Sequence, residues 1–278
     1  MSNQSVLWGL ALSLVIAQGA VGDVLYTRSN NYNGKVLRVV KDAVTIQVGD
    51  AELSINLSDI VREDITAPAE YKAGLAALKS QNYTDAVANL RPSVDRLAGL
   101  RSPWIIEAVL GLGDAYIGLR DYPSAKKVLE DFKRIYPTAP QTQGLEIKFG
   151  HILSEQKDFT RAVATVTPTL DKLLKKDFLT PAEEMLIGEG LVVIGDCQVA
   201  DGKKERALDT YLKVVTLFDR DELRAAEAQY KAGLLFEELG NWKRARDSYT
   251  ELLKGAPPAS FSTDAKRRLD AIKQAHPE

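Results

Sequence analysis

Five times along this chain a glycine is followed twelve residues later by an alanine: Gly74 by Ala86, Gly113 by Ala125, Gly150 by Ala162, Gly195 by Ala207 and Gly233 by Ala245. In four of the five an aromatic stands three residues before the alanine, preceded by Asn or Asp: Asn82-Tyr83, Asp121-Tyr122, Asp158-Phe159 and Asn241-Trp242. Self-similarity at a period of tens of residues marks a solenoid of stacked helical hairpins, an architecture that offers surface to other molecules. Twelve residues hold half a helix, a short turn and the start of a second helix. The glycine therefore lies midway along the first helix of each pair, and the alanine on the first turns of the second. A mid-helix glycine costs about 1 kcal/mol relative to alanine. Five of them are expected only where a side chain would keep neighbouring helices apart, with the alanine as the matching small surface. The Asn or Asp suits a helix N-cap, and the aromatic and alanine, three apart, share one face.

The pattern resembles the tetratricopeptide repeat. The second unit carries most of it: Leu112-Gly113, Tyr116, Asp121-Tyr122, Ala125, Leu129, Phe132 and Tyr136-Pro137. The fifth is close, with Gly233, Phe236, Asn241-Trp242, Ala245, Tyr249, Leu252 and Pro257. The first and third lack the closing proline. The fourth has Lys203-Lys204 in place of the polar-aromatic pair but keeps Gly195, Ala207 and Tyr211. Successive glycines are 39, 37, 45 and 38 residues apart, longer than the family's period of about 34. The excess is greatest around Leu170–Pro181, and in this the array resembles the longer repeats of exported bacterial envelope proteins. The resemblance covers residues 67–276 and implies a mainly α fold, an α-solenoid of five helical hairpins plus a capping helix.

It also implies an inner groove lined by the residue after each glycine and by those three before and five after it. These are Leu75, Leu110, Asp114, Gly118, Ile147, His151, Glu155, Val192, Asp196, Ala200, Tyr230, Leu234 and Glu238. One turn further back lie Glu107, Glu189 and Glu227. The charged members of this set are all acidic, so the expected partner is a protein or peptide segment with basic and apolar residues. The basic clamp with which some family members hold a C-terminal carboxylate has no counterpart at these positions.

Ahead of the array, residues 1–22 read as a signal peptide. Val6–Ala17 is apolar apart from Gly9 and Ser13, too short for a comfortable span. Ala20 and Gly22 are small residues that suit cleavage before Asp23. No Lys or Arg precedes the run, and an uncleaved N-terminal anchor is the alternative, the one route to a membrane. The expected location is the periplasm or cell envelope.

Residues 23–66 switch to period two. Val44, Ile46 and Val48 alternate with polar residues, as do Leu53, Ile55 and Leu57, and Gly49-Asp50 between them is a hairpin signal. With strands at 24–28, 35–40 and 60–65 this suggests a small closed barrel, similar to SH3-like or Sm-like modules. Its five basic and seven acidic side chains have the wrong sign for a phosphate-binding surface, so no nucleic acid is expected. Pro68 marks the start of the helices.

The chemistry of catalysis is not legible. There are two histidines: His151, after Gly150, and His276, near the terminus and expected to be mobile. The single cysteine, Cys197, reads as a small buried apolar residue. No nucleophile elbow, phosphate-cradling loop or metal motif is present, so no cofactor, no metal and no enzyme is expected. Lys266, Arg267, Arg268 and Lys273 read as the solvated face of a terminal capping helix. The function implied is a non-catalytic interaction adaptor or scaffold. The alternative is a structural envelope subunit that oligomerises through the array.

Overall fold

The structure is a computed structural model that describes residues 22–255 and 257–276. The expected signal peptide, apart from Gly22, lies outside the described residues. The chain divides into two compact units with the boundary between Thr66 and Ala67.

The first unit is a five-stranded antiparallel sheet in the order β4-β3-β2-β1-β5. Its strands are β1 (Asp23–Thr27), β2 (Asn31–Val40), β3 (Ala43–Val48), β4 (Ala51–Asn56) and β5 (Ile60–Asp64). β2 begins four residues earlier than its alternation predicts, because Asn31–Gly34 pairs with β1 while Lys35–Val40 pairs with β3. The strand changes partner at Gly34, where a β-carbon would stand 1.9 Å from the Gln47 carbonyl oxygen. Only glycine fits that crossing. Leu25, Val36, Val44, Ile46, Ile55 and Ile60 form the core, whereas Leu53 is exposed. The Asp23 carboxylate accepts hydrogen bonds from the Val36 amide (2.9 Å) and the Thr66 amide (3.0 Å), tying both ends of the module together. The expected closed barrel is not seen: among the described residues β4 and β5 each pair on one side only. The long β2 joins β1 to β3, while β4 rests on β3 alone and β5 on β1 alone, which leaves both edge ladders open.

The second unit consists of five helical hairpins and a last helix. The pairs are α1 (Ala69–Lys79) with α2 (Tyr83–Leu97), α3 (Pro103–Gly118) with α4 (Tyr122–Ile135), α5 (Leu145–Glu155) with α6 (Phe159–Leu174), α7 (Pro181–Ala200) with α8 (Lys204–Leu217), and α9 (Glu222–Glu238) with α10 (Trp242–Lys254). Helix α11 (Ala259–Ala275) follows. The mainly α solenoid preceded by a small β module is thus the observed fold. The third hairpin is entered through a short turn. A 3-10 turn occupies Pro140–Gly144 and the α-helix starts only at Leu145. The long third interval is taken up by the linker 175–180 and the 20-residue α7, which opens on a capping box between Thr180 and Glu183.

Each hairpin turns in the same way. The residue eight after each repeat glycine caps the second helix; Asn82, Asp121, Asp158 and Asn241 accept from the amide three residues on, whereas Lys203 has no side-chain cap bond. The residue before each cap is left-handed: Gln81 (φ 59°), Arg120 (59°), Lys157 (63°), Gly202 (73°) and Gly240 (70°). The cap amide bonds back five residues, as from Asn82 to the Ala77 carbonyl (2.8 Å) and from Asp121 to Tyr116 (2.9 Å). This is the Schellman closure. One helix's C-terminal motif runs directly into the next helix's N-cap, and that tight junction sets the invariant twelve-residue spacing.

The repeat glycines and alanines sit at the hairpin interfaces, and the side chain nearest each glycine is a larger one than the repeat alanine. Ala86, Ala125, Ala162, Ala207 and Ala245 are all fully buried. A β-carbon on Gly74, Gly113, Gly150, Gly195 or Gly233 would lie 2.1–2.9 Å from Leu90, Leu129, Val166, Tyr211 or Tyr249 respectively. Those residues are each sixteen positions after the glycine, one helical turn beyond the alanine. At Gly74 the three atoms nearest a β-carbon belong to Leu90 and Asn89. At Gly150 the Ala162 carbonyl oxygen also comes close, at 3.4 Å. The reason is the rise of the helix. Four residues carry the chain about 6 Å along its axis, so the side chain level with the glycine belongs to the next turn. The glycine thus makes room for a large side chain of its partner helix. Ala86 and its counterparts are packed one turn nearer the hairpin's own cap, where the Ala86 amide donates to the Asn82 carbonyl at 2.9 Å.

Candidate functional site

The first helices of the hairpins, α1, α3, α5, α7 and α9, together with the ends of the array, enclose a cavity of about 870 Å³. Its wall is completed where the α1–α2 turn meets α9 and α11: Lys79 pairs with Glu222 at 3.2 Å, and the Ser260 hydroxyl donates to Gln81. A second hollow of about 470 Å³ lies further along the same helices, bounded by Asp196, Lys231, Leu234 and Glu238.

The lining follows a helical stripe. Counted from the repeat glycine, positions −6, −2, +1 and +5 face inward, spaced four, three and four, which is one face of an α-helix. Glu107, Glu189 and Glu227 come from position −6, Asp114 and His151 from +1, and Glu155 from +5. Asp196, Leu234 and Glu238 belong to the second hollow. Leu75, Gly118 and Ala200 also line these spaces. The expected position −3 does not. Ile147 is fully buried in the core, Val192 is buried, Leu110 packs against the apolar cluster of the first two hairpins, and Tyr230 packs against Tyr249 and Phe261. A one-residue error rotates a side chain by about 100° around the helix, enough to turn a groove residue into a core residue.

The same correction reveals the basic residues that the acidic groove lacked. Lys148 and Lys231 stand at −2, and Arg224 lies one turn before Glu227. Lys148 Nζ is 2.6 Å from Asp114 Oδ1 of the preceding hairpin, and Lys231 Nζ is 2.6 and 2.8 Å from the two Asp196 oxygens. Each of these two lysines thus neutralises an aspartate at +1 one repeat earlier. Lys231 also bonds Glu227 (2.7 Å), which accepts from Arg224 Nη1 (2.6 Å), while the Tyr211 hydroxyl donates to Asp196 (2.6 Å). The groove is therefore an internally paired network, not an open acidic strip.

Burial alone would discharge these groups, but their partners reverse most of that. Burial works to lower Lys148 and Lys231, yet neighbouring carboxylates hold both above the ordinary lysine range. Glu227 is raised by burial and lowered further by Lys231 and Arg224, so the net direction is down. Asp114 is raised, by burial and then by Glu189, against the pull of Lys148. His151 is lowered to about 4, by burial and by Arg224, despite Glu227 and Glu189; it is neutral at pH 7. Glu189 is only 7% exposed, and its Oε1 has no hydrogen-bond donor. It is ion-paired with Lys148 Nζ at 3.7 Å, and the neutral His151 Nδ1 lies at 4.0 Å.

Elsewhere the single thiol, Cys197, is buried in the core and pushed up by that burial. His276 stacks on Trp242, with ring centroids 4.0 Å apart and planes 10° apart, so it is held rather than mobile. Arg268 pairs with Glu237 and Asp264, pinning α11 to α9, so part of the terminal basic cluster is structural and not a free solvated face. Among the described residues no group of three His, Cys, Asp or Glu side chains is placed to hold a metal ion. No helix of the described residues is long and apolar enough to cross a membrane.

The tetratricopeptide repeat model matches residues 71–140 and 193–260. No curated protein sequence matches the chain. Among solved structures, a Rap protein complexed with competence and sporulation factor is similar over 74% of this chain at 15% identity, with a TM-score of 0.54. This chain spans 57% of that protein's length. A putative kinesin light chain of Podosopora anserina with nearly identical TPR-like repeats matches over 67% of this chain and 92% of its own (15% identity, TM-score 0.43). MamA AMB-1 matches over 68% and 98% (14% identity, TM-score 0.35). Such repeats generally mediate protein–protein interaction and are generally not catalytic. Residues 71–140 and 193–260 thus carry tetratricopeptide repeats, and the helical unit is a solenoid of that type.

Proposed function

We propose that this chain is an exported, non-catalytic adaptor or assembly scaffold of the periplasm or cell envelope that holds a segment of a partner protein inside its repeat array. The observation that carries this is the cavity of about 870 Å³ formed by the first helices of the hairpins. Its size and mixed lining suit a few residues of polypeptide, with apolar Leu75 and Leu78 beside charged groups. The Rap protein whose helical array is similar was solved with competence and sporulation factor bound, which favours a peptide or protein ligand here. Export rests on the leader pattern of residues 1–22, and β1 begins at Asp23, so cleavage there would leave the β module whole.

The test is selection of random peptides on the purified chain. Wild type should enrich a defined set of sequences, and Glu155→Lys, at the cavity wall, should weaken their binding. Failure to enrich any sequence would refute the binding role. N-terminal sequencing of the mature protein from the envelope fraction should begin at Asp23; an intact Met1 would refute cleavage.

A further inference from the structure

We propose that the chain self-associates, with Phe178 of one copy entering an apolar hollow near the end of the helical array of a second copy. The contact does not use the inner stripe assigned to the partner segment, and it stands or falls independently of that role.

The knob is a product of the long third interval. The linker 175–180 packs Leu179 against the core shared by α5, α6 and α7, which leaves its neighbour Phe178 outside. Phe178 is 91% exposed, more than any other large apolar side chain among the described residues, and Leu174, four residues earlier, is 51% exposed. Single exposed apolar residues are ordinary on a protein surface. Phe178 differs in standing on an insertion that the packing of the repeats does not require, beside a second exposed apolar side chain. Around it, Lys172, Lys175 and Lys176 outnumber Asp171 and Asp177. Lys176 is paired with Glu183, whereas Lys172 and Lys175 form no ion pair among the described residues.

The hollow, of about 710 Å³, lies between the C-terminal ends of α8 and α10 and the first turns of α9, with the end of α1 beside it. Its floor is Val215, Leu223, Ala226, Leu252 and Pro257. Helix α9 contributes Glu222, Ala225, Ala226 and Gln229, spaced three, one and three, which is a single face. That face is opposite the one that carries Arg224 and Glu227 into the first cavity. The Lys79–Glu222 ion pair lines both spaces and stands between them. At the rim, the carboxylates Asp219, Glu222 and Glu251 outnumber Lys79. Lys254 answers Glu251 at 2.6 Å, whereas Asp219 forms no ion pair among the described residues.

Knob and hollow are therefore complementary twice. An apolar projection meets an apolar recess large enough to take Phe178 with Leu174, and lysines without partners meet a carboxylate without one. An aromatic anchor in an apolar pocket ringed by polar groups is the usual core of a protein interface. Phe178 is exposed in its own copy, so the hollow it fits is that of another. Both halves are present on every copy, which makes a second copy the occupant that these charges and shapes describe.

The test is sedimentation velocity of the purified chain from micromolar to sub-millimolar concentration. The average mass of wild type should rise with concentration. Phe178→Ser removes the knob, and Ala76→Trp, on the exposed face of α1 that borders the hollow, fills the recess. Each should raise the dissociation constant at least about tenfold. Thermal midpoints equal to wild type would show that both variants fold. Mixing the two supplies one intact knob and one intact hollow, so a heterodimer should form where neither variant pairs with itself. Lys172→Glu combined with Lys175→Glu should weaken association, and Asp219→Lys in the partner copy should recover part of it. A wild type that stays monomeric throughout, association indifferent to Phe178→Ser, or no recovery on mixing overturns the proposal. Flotation with phosphatidylglycerol vesicles that Phe178→Ser abolishes and Ala76→Trp leaves intact also overturns it, since the knob would then serve a membrane surface.

Discussion

Gly150→Ala is the sharpest probe of how the hairpins pack. A β-carbon there would stand 2.1 Å from Val166 Cγ2 and 3.4 Å from the Ala162 carbonyl oxygen. Carbon atoms in contact sit about 3.5–4.0 Å apart, so the overlap is roughly 1.5 Å. Val166 is fully buried and has only a stiff χ1 with which to respond, so α5 and α6 must separate. Overpacking of this kind costs about 1–3 kcal/mol, and the better helix propensity of alanine returns about 1 kcal/mol. The net loss should be up to about 2 kcal/mol, a fall of up to roughly 8 °C in thermal midpoint for a unit of this size. Val166→Ala alone should cost roughly 2 kcal/mol, through lost methyl contacts and the cavity left behind. In the double variant the new methyl occupies that cavity, so the two losses should fall short of their sum by about 1–2 kcal/mol, the signature of direct contact. Gly111→Ala in α3 is the internal contrast. Its β-carbon would meet only the flexible ends of Leu90, Leu75 and Leu78 at 3.3–3.5 Å, so it should be neutral or stabilising by up to about 1 kcal/mol. Thermal and urea unfolding followed by far-UV circular dichroism decide the matter. If Gly150→Ala stabilises as Gly111→Ala does, or the cycle is additive, the packing argument is wrong.

Further outcomes follow from the turns and the charged interior. Replacing left-handed Gln81, Arg120 or Lys157 with glycine should raise stability by up to about 1 kcal/mol each, and Gly240→Ala should lower it by a similar amount; unchanged urea midpoints throughout would contradict the turn assignment. His151, at about 4 in the fold against about 6.5 unfolded, binds its proton more readily in the unfolded chain. Stability should therefore be lost as pH falls through the window from about 6.5 to 4. Between pH 7 and 5 the loss should be about 2 kcal/mol more in wild type than in His151→Gln, and parallel pH profiles of the two would refute it. Lys231→Met strands Glu227 and Asp196, so it should cost roughly 3 kcal/mol; a loss below 1 kcal/mol in urea titrations would mean that solvent already screens the network. The Cys197 thiol, buried and shifted upward, should react with a thiol reagent only as fast as the native protein opens, so rapid labelling under native conditions would count against the assigned core.

The sequence by itself determined the repeat. A glycine twelve before an alanine, with a polar cap eight after the glycine, is local information, because Schellman closure and N-cap are settled within ten residues of chain. The hairpins and the mainly α class follow from it, as the strands follow from the two-residue alternation around Gly49-Asp50. The large residue that each glycine accommodates also stands at a fixed distance, sixteen positions later, but spacing alone pointed to the alanine and not to the larger neighbour, such as Leu90, that lies nearest. What only the tertiary structure decided was orientation and partnership. The difference between positions −3 and −2 is a rotation of about 100° about the helix axis, invisible to a list of residue types yet enough to send Ile147 and Tyr230 into the core and bring Lys148 and Lys231 into the cavity. The pairing of Asp114 with Lys148, and of Asp196 with Lys231, joins side chains 34 and 35 residues apart. It depends on how one hairpin rests on the next. A line of acidic letters therefore became a nearly neutral network in which Lys148, Arg224 and Lys231 are shared among four carboxylates, since charge balance is a property of three-dimensional neighbourhoods and not of sequence position.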